Sequence, residues 1–590
     1  MSPLSGARKL HWGAAAGAAS VSFTVTVDLV RWLRPSLLTD PDPTWLMARL
    51  ALALAVAAIC VASAWASYRA VLALERTFVT APLAALPFPP PTLALIAAGA
   101  LLAGALLRLV ALSELPSILF VDDASLLMPA MELQRRLSDF RDAIRPAPFG
   151  VPKIYGTVGV LYLELMRACL DLCGTTVLGL RLSSALGGVA SLVTGALLGR
   201  VLLPRGGGAL TGLVLAGLRW HLILSRWGWN MIALAPVVDA ATLLLLRARR
   251  RESLPSGLAA GLLAGVGAHI YLASWSAGAA LLAVAAWPWD LRSRWRRVSL
   301  AAVFALGFAA AAAPLFFFAE GRPASYWIRT RDHNVVKEMR YRKSAMPIFA
   351  AAADSLAGPW FGGDPLARND LPGRSRLGLF LGLAFGASCL RALLRPGEEL
   401  SALLLAHAAA GLASSVAGGE SLVPNGCRYA YLTSLTSVAV GAGALSALSL
   451  MPQAARRTAS LLLVGALAVL GALGARDALV VWPSSRAYYD DIFGQDTLIA
   501  RAALRWERVG PVSVDLGTVR SPLVLEAIRR FRLDPEEPRR AAAFGSRPRP
   551  QRFRIVRKGT APAGGEKVVE LLTDPWGRGW GLVLGSRAGL

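Results

Sequence analysis

Two adjacent carboxylates, Asp122 and Asp123, stand in a polar stretch at 113–155 that separates two hydrophobic runs. An apolar turn at 118–120 precedes them, which predicts that they lie near a membrane surface. Burial and repulsion between neighbouring carboxylates raise a carboxyl pKa, as a general base at neutral pH requires. The pair is therefore a candidate catalytic group, and the alternative is two solvated residues at a helix end.

The histidines and cysteines indicate no metal or redox centre. No HxH or HExxH spacing occurs, and no metal-type CxxC pair is present. A divalent cation held by Asp122 and Asp364 is the one metal site left open, because hard cations bind carboxylate oxygens. No other cofactor is predicted.

The composition is that of a membrane protein. Of 590 residues, 55% are hydrophobic and 17% are charged, and the mean hydropathy of +0.51 is too high for a soluble chain of this length. Much of the formal net charge of +25 comes from arginines clustered between hydrophobic runs. Such clusters set topology and meet anionic lipids, so nucleic acid is not predicted as a partner.

Apolar runs long enough to cross a bilayer recur along the chain. We predict a polytopic α-helical membrane protein with about 13 transmembrane helices, at 12–33, 44–67, 92–112, 152–172, 180–203, 208–224, 231–247, 257–289, 298–318, 376–394, 400–418, 429–450 and 458–474. They divide the chain into an N-terminal pair of helices at 1–91, a transmembrane module at 92–474 and a C-terminal domain at 475–590. The module carries external loops at 113–151, 319–375 and 419–428.

Basic residues orient these spans. If the N-terminus is cytoplasmic, five clusters of basic residues fall on the cytoplasmic side, at 8–9, 69–76, 292–297, 391–395 and 456–457. We therefore predict a plasma (inner) membrane protein with an external, periplasmic C-terminal domain. The arginines at 247–251 conflict with strict alternation of the spans. A hairpin at 269–271 within 257–289 removes the conflict only if an earlier span fails to cross.

Helix and strand patterns alternate after Arg476. The segments VSVDLGTV, QRFRIV and KVVELL have the alternation of strands, and SPLVLEAIRRF has the periodicity of a helix. These patterns predict a small extramembrane α/β domain, with a Pro- and Arg-rich loop at 534–550.

Several motifs resemble, in order, the membrane-embedded glycosyltransferases of fold class C, and within them glycosyltransferase family 39, the protein-mannosyltransferase and aminoarabinose-transferase group. VDDAS stands where the family has an acidic pair, although Asp123 replaces the usual Glu. LGLRLSSALGG resembles the Arg-containing start of the next span, and SRWGWNMIALAP and GLAAGLLAGVGAHIYLA resemble the SRxGxN and glycine-rich segments. FGGDPLARNDLPG and GESLVPNGCRYAYL resemble segments of bacterial members. The resemblance covers about 92–450.

The resemblance implies transfer of a sugar from a polyprenyl-phosphate donor to a lipid, glycan or protein acceptor on the external face of the membrane. It implies that Asp122 is the catalytic base, with Asp123 as the second candidate. The donor phosphate requires cations. The candidates are Lys153, Arg226 and Arg428, and each position also suits a cation that sets topology.

Amides and aromatic faces suit a sugar, because a sugar offers hydroxyl groups and C–H faces. Further polar residues in the loop at 319–375 suit substrate contact. The predicted substrate-binding residues are Trp227, Trp229, Asn230, Tyr326, Arg329, Arg331 and His333. Interfacial tryptophans also occur simply as belt residues.

Two other functions stay open. Charged residues within a hydrophobic run, such as Glu164 and Arg167, and glycine-rich helices suit a transporter or flippase of a lipid-linked or anionic solute. The replacement of the family's usual Glu by Asp123 suits a structural subunit whose catalytic site is degenerate. Release of polyprenyl phosphate from a polyprenyl-phosphate sugar distinguishes a transferase from both.

Overall fold

The computed structural model of the chain describes most residues from 82 onward, so the first two predicted spans lie outside the described residues. The described residues are 82–116, 119, 123, 126–127, 130–131, 160–288, 293–321, 335–357, 363–364, 366–417, 426–492, 494–507, 512–514, 522–531, 553–557, 567–573 and 579–584.

The described part is mainly helical. Its helices are α1 Pro90–Leu109, α2 Val160–Cys173, α3 Val177–Leu202, α4 Gly207–Gly217, α5 Arg219–Leu224, α6 Leu234–Arg251, α7 Leu254–Val266, α8 Ser274–Ala286, α9 Arg294–Gly321, α10 Val335–Arg342, α11 Met346–Ala357, α12 Gly378–Leu394, α13 Glu399–Ala417, α14 Thr433–Ser449, α15 Gln453–Arg476, α16 Arg486–Asp491, α17 Gly494–Glu507 and α18 Pro522–Phe531. Short 3-10 segments occur at Gly267–His269 and Gly426–Leu432, and a π-helical turn at Asp477–Val481.

Several of these helices are long and apolar enough to cross a membrane. Among the described residues there are five: Pro90–Leu109, Val177–Leu202, Arg294–Leu315, Gly426–Ser449 and Gln453–Val481. The pair α12 and α13, bent by 104° at its junction, gives a sixth if it is counted as one span. The prediction of a mainly helical protein with several helices apolar enough to cross a membrane is confirmed, whereas the number 13 stays a prediction.

Local sequence signals set the helix boundaries. The hydroxyl group of Thr176 accepts a hydrogen bond from the backbone N–H of Gly179 at 3.1 Å. The hydroxyl group of Ser253 accepts one from the backbone N–H of Ser256 at 3.3 Å. These side chains replace the helical partners that the first N–H groups lack. Pro90 begins α1, where a missing N–H costs nothing.

Contacts between helix ends define one end of the bundle. Arg250 at the end of α6 donates to the carbonyl of Val201 at 3.0 Å and forms an ion pair with Glu399 at the start of α13. The indole of Trp287, after α8, donates to Pro396 at 2.8 Å. We call this the basic end, because it gathers Arg205, Arg249, Arg250, Arg251, Arg294, Arg296, Arg297, Arg391, Arg395, Arg456 and Arg457.

The opposite end carries buried carboxylates. Arg226, in the loop after α5, and Arg181, at the start of α3, both donate to backbone carbonyls just after α1. The end of α1, the start of α3 and the loop after α5 therefore lie together at this end. We call it the acidic end, because its buried or partly buried carboxylates include Asp123, Asp364, Asp370, Asp477 and Asp491.

Helices α7 and α8 form a hairpin, so the prediction of one span at 257–289 is wrong and its alternative, a hairpin at 269–271, is correct. Arg249 donates to the carbonyls of Val284 and Trp287 at 2.8 and 2.7 Å, which places the end of α8 beside the start of α7. The turn between them meets the acidic end, where Asn230 donates to Ile270 at 2.5 Å. The arginines at 247–251 therefore join the other basic clusters.

The predicted crossing at 152–172 is wrong. At the start of α3, Arg181 donates to the carbonyl of Leu112 at 3.2 Å and to that of Pro116 at 2.7 Å, just after α1. Because α1 ends where α3 begins, the chain between them makes no net crossing. Helix α2 instead packs along the first turns of α3, with the hydroxyl of Tyr162 2.8 Å from that of Ser184.

The predicted span at 208–224 is broken at Leu218, between α4 and α5. A Cβ at Gly217 would overlap the backbone of Gly471 in α15, so small residues bring these two helices together. The break leaves carbonyls without helical partners, and Arg108 donates to Leu215 and Ala216 at 3.0 and 3.3 Å.

The C-terminal part contains a four-stranded sheet. Its strands are β1 Val512–Val514, β2 Phe553–Arg557, β3 Lys567–Thr573 and β4 Gly579–Leu584, in the order β1-β2-β4-β3. Strands β1 and β2 are parallel, and the other neighbours are antiparallel. The first three strands and α18 lie in the predicted segments, β4 was not predicted, and 534–550 lies outside the described residues.

Candidate active site

Asp123 lies in the core of the acidic end. Only 1% of its surface is exposed, and its Oδ1 accepts the backbone N–H of Gly228 at 3.0 Å. This hydrogen bond joins the VDDAS and SRWGWN segments. A Cβ at position 228 would lie 2.9 Å from the side chain of Leu180, so the close approach requires glycine. Asp122, the residue predicted as the base, lies outside the described residues.

Three groups that were not predicted as site residues lie within electrostatic range of Asp123: Tyr162, Arg181 and Tyr488. Burial raises the pKa of Tyr488, and the charge of Asp123 adds to the shift, whereas Arg181 opposes it. The sequence held a signal for one of them, because Arg181 is the arginine of LGLRLSSALGG. Tyr488 follows the last span and carried no motif.

An aromatic stack lies beside these groups. The rings of Trp227 and Trp229 are parallel within 7° with centroids 5.7 Å apart, and Trp482 also stacks on Trp227 at 6.1 Å. Tyr488 packs against Trp482 at 4.3 Å. All are buried, and the indole of Trp482 donates to Ala367 at 2.7 Å. The two predicted tryptophans are thus brought together, and their contact with a sugar stays a prediction.

Arg226 closes the end of α1. Its Nη1 donates to Leu107 at 2.8 Å, and its Nη2 donates to Val110, Ala111 and Leu115 at 2.8, 3.0 and 3.1 Å. Burial lowers the pKa of Arg226 to about 10, with the charge of Arg181 adding to the shift. Both terminal nitrogens therefore have a structural role, and phosphate binding by Arg226 stays a prediction.

Asn230 joins the site to the hairpin of α7 and α8. Its Nδ2 donates to the carbonyl of Ile270, while its buried Oδ1 has no hydrogen-bond partner among the described residues. An amide oxygen left in this state is suited to accept a hydrogen bond from a hydroxyl group. Asn230 thus keeps an acceptor for the sugar contact that the sequence predicts.

Arg428 and Asp364 lie in a second part of the acidic end. Asp364 accepts hydrogen bonds from Asn369 at 3.0 Å and from Arg376 at 3.2 Å, and also from the backbone N–H of Gly426. Burial raises the pKa of Asp364, whereas Arg376 and these donors lower it. Half-buried Arg428 lies two residues beyond Gly426, with its Nη1 3.5 Å from the carbonyl of Ser414.

No group of three metal-ligating side chains occurs among the described residues. The oxygens of Asp364 face protein donors, which does not fit a cation-binding carboxylate. Its suggested partner Asp122 lies outside the described residues. So do Lys153 and the four residues predicted from the loop at 319–375, which are Tyr326, Arg329, Arg331 and His333.

A buried ion network fixes the loop before α12. Arg219 in the broken span donates to both carboxylate oxygens of Asp370, at 2.6 and 3.2 Å, and lies 3.6 Å from Asp477 after α15. Arg374 pairs with the same oxygen of Asp477 at 2.5 Å. The network ties the loop to two spans beneath the site.

Comparison with known proteins gives structural similarity alone. No family model matches the sequence. No curated protein matches it. A crystal structure of ArnT from Cupriavidus metallidurans bound to undecaprenyl phosphate is similar, with 14% identity, a TM-score of 0.46 and coverage of 85% of this chain and 99% of that one. The apo structure of ArnT from the same organism has 13% identity, a TM-score of 0.41 and coverage of 88% and 98%.

TM-scores below 0.5 and identities of 13–14% do not assign the chain to a family.

Breaking the buried ion network is expected to destabilise the protein. Asp370→Asn keeps the volume of the side chain but leaves Arg219 without its bidentate partner, at a cost of about 3–5 kcal/mol. Thermal unfolding of the purified protein in detergent measures this. The matched control is Glu399→Gln, whose ion pair with Arg250 is solvent-exposed and is worth about 0–1 kcal/mol. Equal melting temperatures for the two variants would contradict the role given to the network.

Proposed function

We propose that the chain is a glycosyltransferase that moves a sugar from a polyprenyl-phosphate donor to an acceptor on the external face of the membrane. One observation carries the proposal. Asp123, the neighbour of Asp122, is buried at one end of a membrane-crossing bundle and accepts a hydrogen bond from the backbone N–H of Gly228 in the SRWGWN segment. Carboxylate, arginine and aromatic groups thus meet where a lipid-linked donor would present its headgroup.

The reaction asks for one proton acceptor and one anion site. The acceptor hydroxyl oxygen forms a bond to the anomeric carbon as the bond from that carbon to the donor phosphate breaks. Polyprenyl phosphate leaves with the electron pair, and the hydroxyl proton passes to a carboxylate. In this proposal the carboxylate is Asp122.

The two aspartates have separate roles. Adjacent side chains in a helical turn point about 100° apart, so one carboxylate directed at the core leaves its neighbour directed elsewhere. Asp123 is the inward one, since it accepts the N–H of Gly228 and lies near Arg181. We therefore assign the anchoring of the loop to Asp123 and contact with the substrate to Asp122.

The donor phosphate is assigned to cations at the same end. Arg428 lies at the start of the segment that precedes α14, and Lys153 and Arg226 complete the set. Arg226 contributes least, because both its terminal nitrogens already donate to carbonyls. Trp227, Trp229 and Asn230 are assigned to the sugar, and Tyr326, Arg329, Arg331 and His333 to the remainder of the substrate. The fold-class-C architecture belongs to the same proposal.

The transporter alternative has less support. Glu164 and Arg167, which suggested it, form an ion pair at 2.8 Å on one partly exposed face of α2, a helix outside the crossing spans. They are charges on a surface helix and do not line a path through the bundle.

We also propose that the basic end is cytoplasmic and the acidic end external, because the hairpin brings 247–251 to the side of the arginines at 294–297, 391–395 and 456–457. A reporter enzyme active only outside the cytoplasm, fused after Leu590, is expected to be active. The same reporter inserted after Arg251, in the turn between α6 and α7, is expected to be silent. The reverse pattern would invert the orientation of the whole bundle.

If Arg428 binds the donor phosphate, Arg428→Ala should weaken donor binding by about 1.5–3 kcal/mol, the scale of a charged hydrogen bond. Binding of a polyprenyl-phosphate sugar to the purified protein measures this. Arg457→Ala, an exposed arginine at the basic end, is the matched control and should bind normally. Normal donor affinity in a well-folded Arg428→Ala protein removes Arg428 from the site.

Asp122→Asn keeps the side-chain volume but cannot take the proton, so release of polyprenyl phosphate should fall about 10²–10⁴-fold while donor binding persists. Asp123→Asn is expected to lose less activity, because an amide oxygen still accepts the N–H of Gly228. Glu114→Gln, an exposed carboxylate of the same loop, is the matched control.

The outcomes separate the candidates. Full activity of Asp122→Asn with loss in Asp123→Asn would move the base by one residue. Full activity of both variants would end the catalytic role of this loop. Solute movement without release of polyprenyl phosphate by the wild type would favour the transporter.

A further inference from the structure

A cavity of about 310 Å³ lies at the basic end, on the opposite side of the bundle from the proposed active site. Its wall comes from the end of α6, the start of α7 and the first turns of α9. The polar lining includes Arg249, Glu252, Arg296 and Arg297. No step of the proposed reaction uses these residues.

The charge of the cavity is predominantly positive, with three arginines facing one carboxylate. Arg249 is the buried arginine of the lining, and its Nη1 donates to the carbonyls of Val284 and Ala285 at the end of α8. Arg296 pairs with Glu252 at the mouth. An anion that enters the cavity therefore meets net positive charge and competes with Glu252 for Arg296.

An apolar track leaves the same cavity. Leu254 lies in its wall, and the side chains of Leu254, Leu258 and Leu262 are exposed by 43%, 36% and 40%. Residues four apart lie on one face of a helix, so the three leucines form a line from the cavity along the outside of the bundle. Exposed Trp295 beside the cavity marks the level of the membrane interface.

We propose that this cavity binds the headgroup of an anionic phospholipid, with an acyl chain along Leu254, Leu258 and Leu262. A phosphate beside a cluster of arginines at helix ends, with its chain against apolar helix surface, matches the polarity of the cavity and the track. The site is separate from the donor site, because the two lie at opposite ends of the bundle.

Native mass spectrometry of the purified full-length protein in mild detergent tests the proposal. Phosphatidylglycerol is titrated, with phosphatidylcholine and inorganic phosphate as separate arms. Wild type is expected to bind phosphatidylglycerol in preference to phosphatidylcholine. Arg297→Ala should lower phosphatidylglycerol affinity about fivefold, the effect of one basic residue near an anionic surface. The matched control is Arg457→Ala, which removes one arginine from the same end outside the cavity and should leave affinity unchanged.

A second variant shifts affinity in the opposite direction, which a folding defect would not do. Glu252→Gln removes the competing carboxylate and should raise phosphatidylglycerol affinity about fivefold. An equal loss in Arg297→Ala and Arg457→Ala would show a diffuse surface charge and overturn the proposal. Displacement of phosphatidylglycerol by an equal concentration of inorganic phosphate would also overturn it, because the site would then bind free phosphate.

Discussion

Buried arginines that donate to backbone carbonyls hold this structure together. Four arginines do so at places where helices end or break within the bundle: Arg108 beside the break at Leu218, Arg181 and Arg226 after α1, and Arg249 at the end of α8. A carbonyl without a partner costs several kcal/mol in an apolar environment, so broken helices persist only where such groups are satisfied. The guanidinium group suits this role, because it presents five donors in a fixed plane.

This use of arginine constrains the site. At the acidic end Arg226 is committed to carbonyls, and Arg219 and Arg376 are committed to Asp370 and Asp364. A cation in such a network binds a phosphate only by giving up existing hydrogen bonds. In the proposed reaction the donor phosphate is therefore better matched to cations outside this network.

Sequence patterns predicted the helices and strands whose hydropathy or alternation can be recognised within the segment itself. Hydropathy identified the long apolar helices, and alternation identified three of the four strands. Hydropathy measures apolar length, however, and it cannot distinguish a helix that crosses from one that packs on a neighbour. The run at 152–172 is apolar because α2 buries one face against α3. The run at 257–289 contains a turn because Asn230, distant in sequence, satisfies Ile270.

The site was predictable only in its parts. Asp123, Trp227 and Trp229 were candidates from their motifs, yet the contact of Asp123 with Gly228 joins residues 105 positions apart. For Arg226 the sequence predicted a phosphate ligand, and the structure adds hydrogen bonds from both of its terminal nitrogens to carbonyls at the end of α1, which no local pattern could show. Tyr488 carried no local signal, since its place depends on packing against Trp482.

The segment after the last span belongs to the module that carries the site. Buried Trp482 packs between Trp227 and Tyr488, and Thr497 exchanges hydrogen bonds with the backbone of Leu119 at 3.2 Å. Large aromatic side chains contribute much of the energy of such a core, so this segment is part of what excludes water from Asp123. A boundary at 475 would divide one hydrophobic cluster between two domains. The physical unit is therefore the bundle together with the chain through α18, and the strands beyond α18 are the part that the sequence describes as a separate α/β addition.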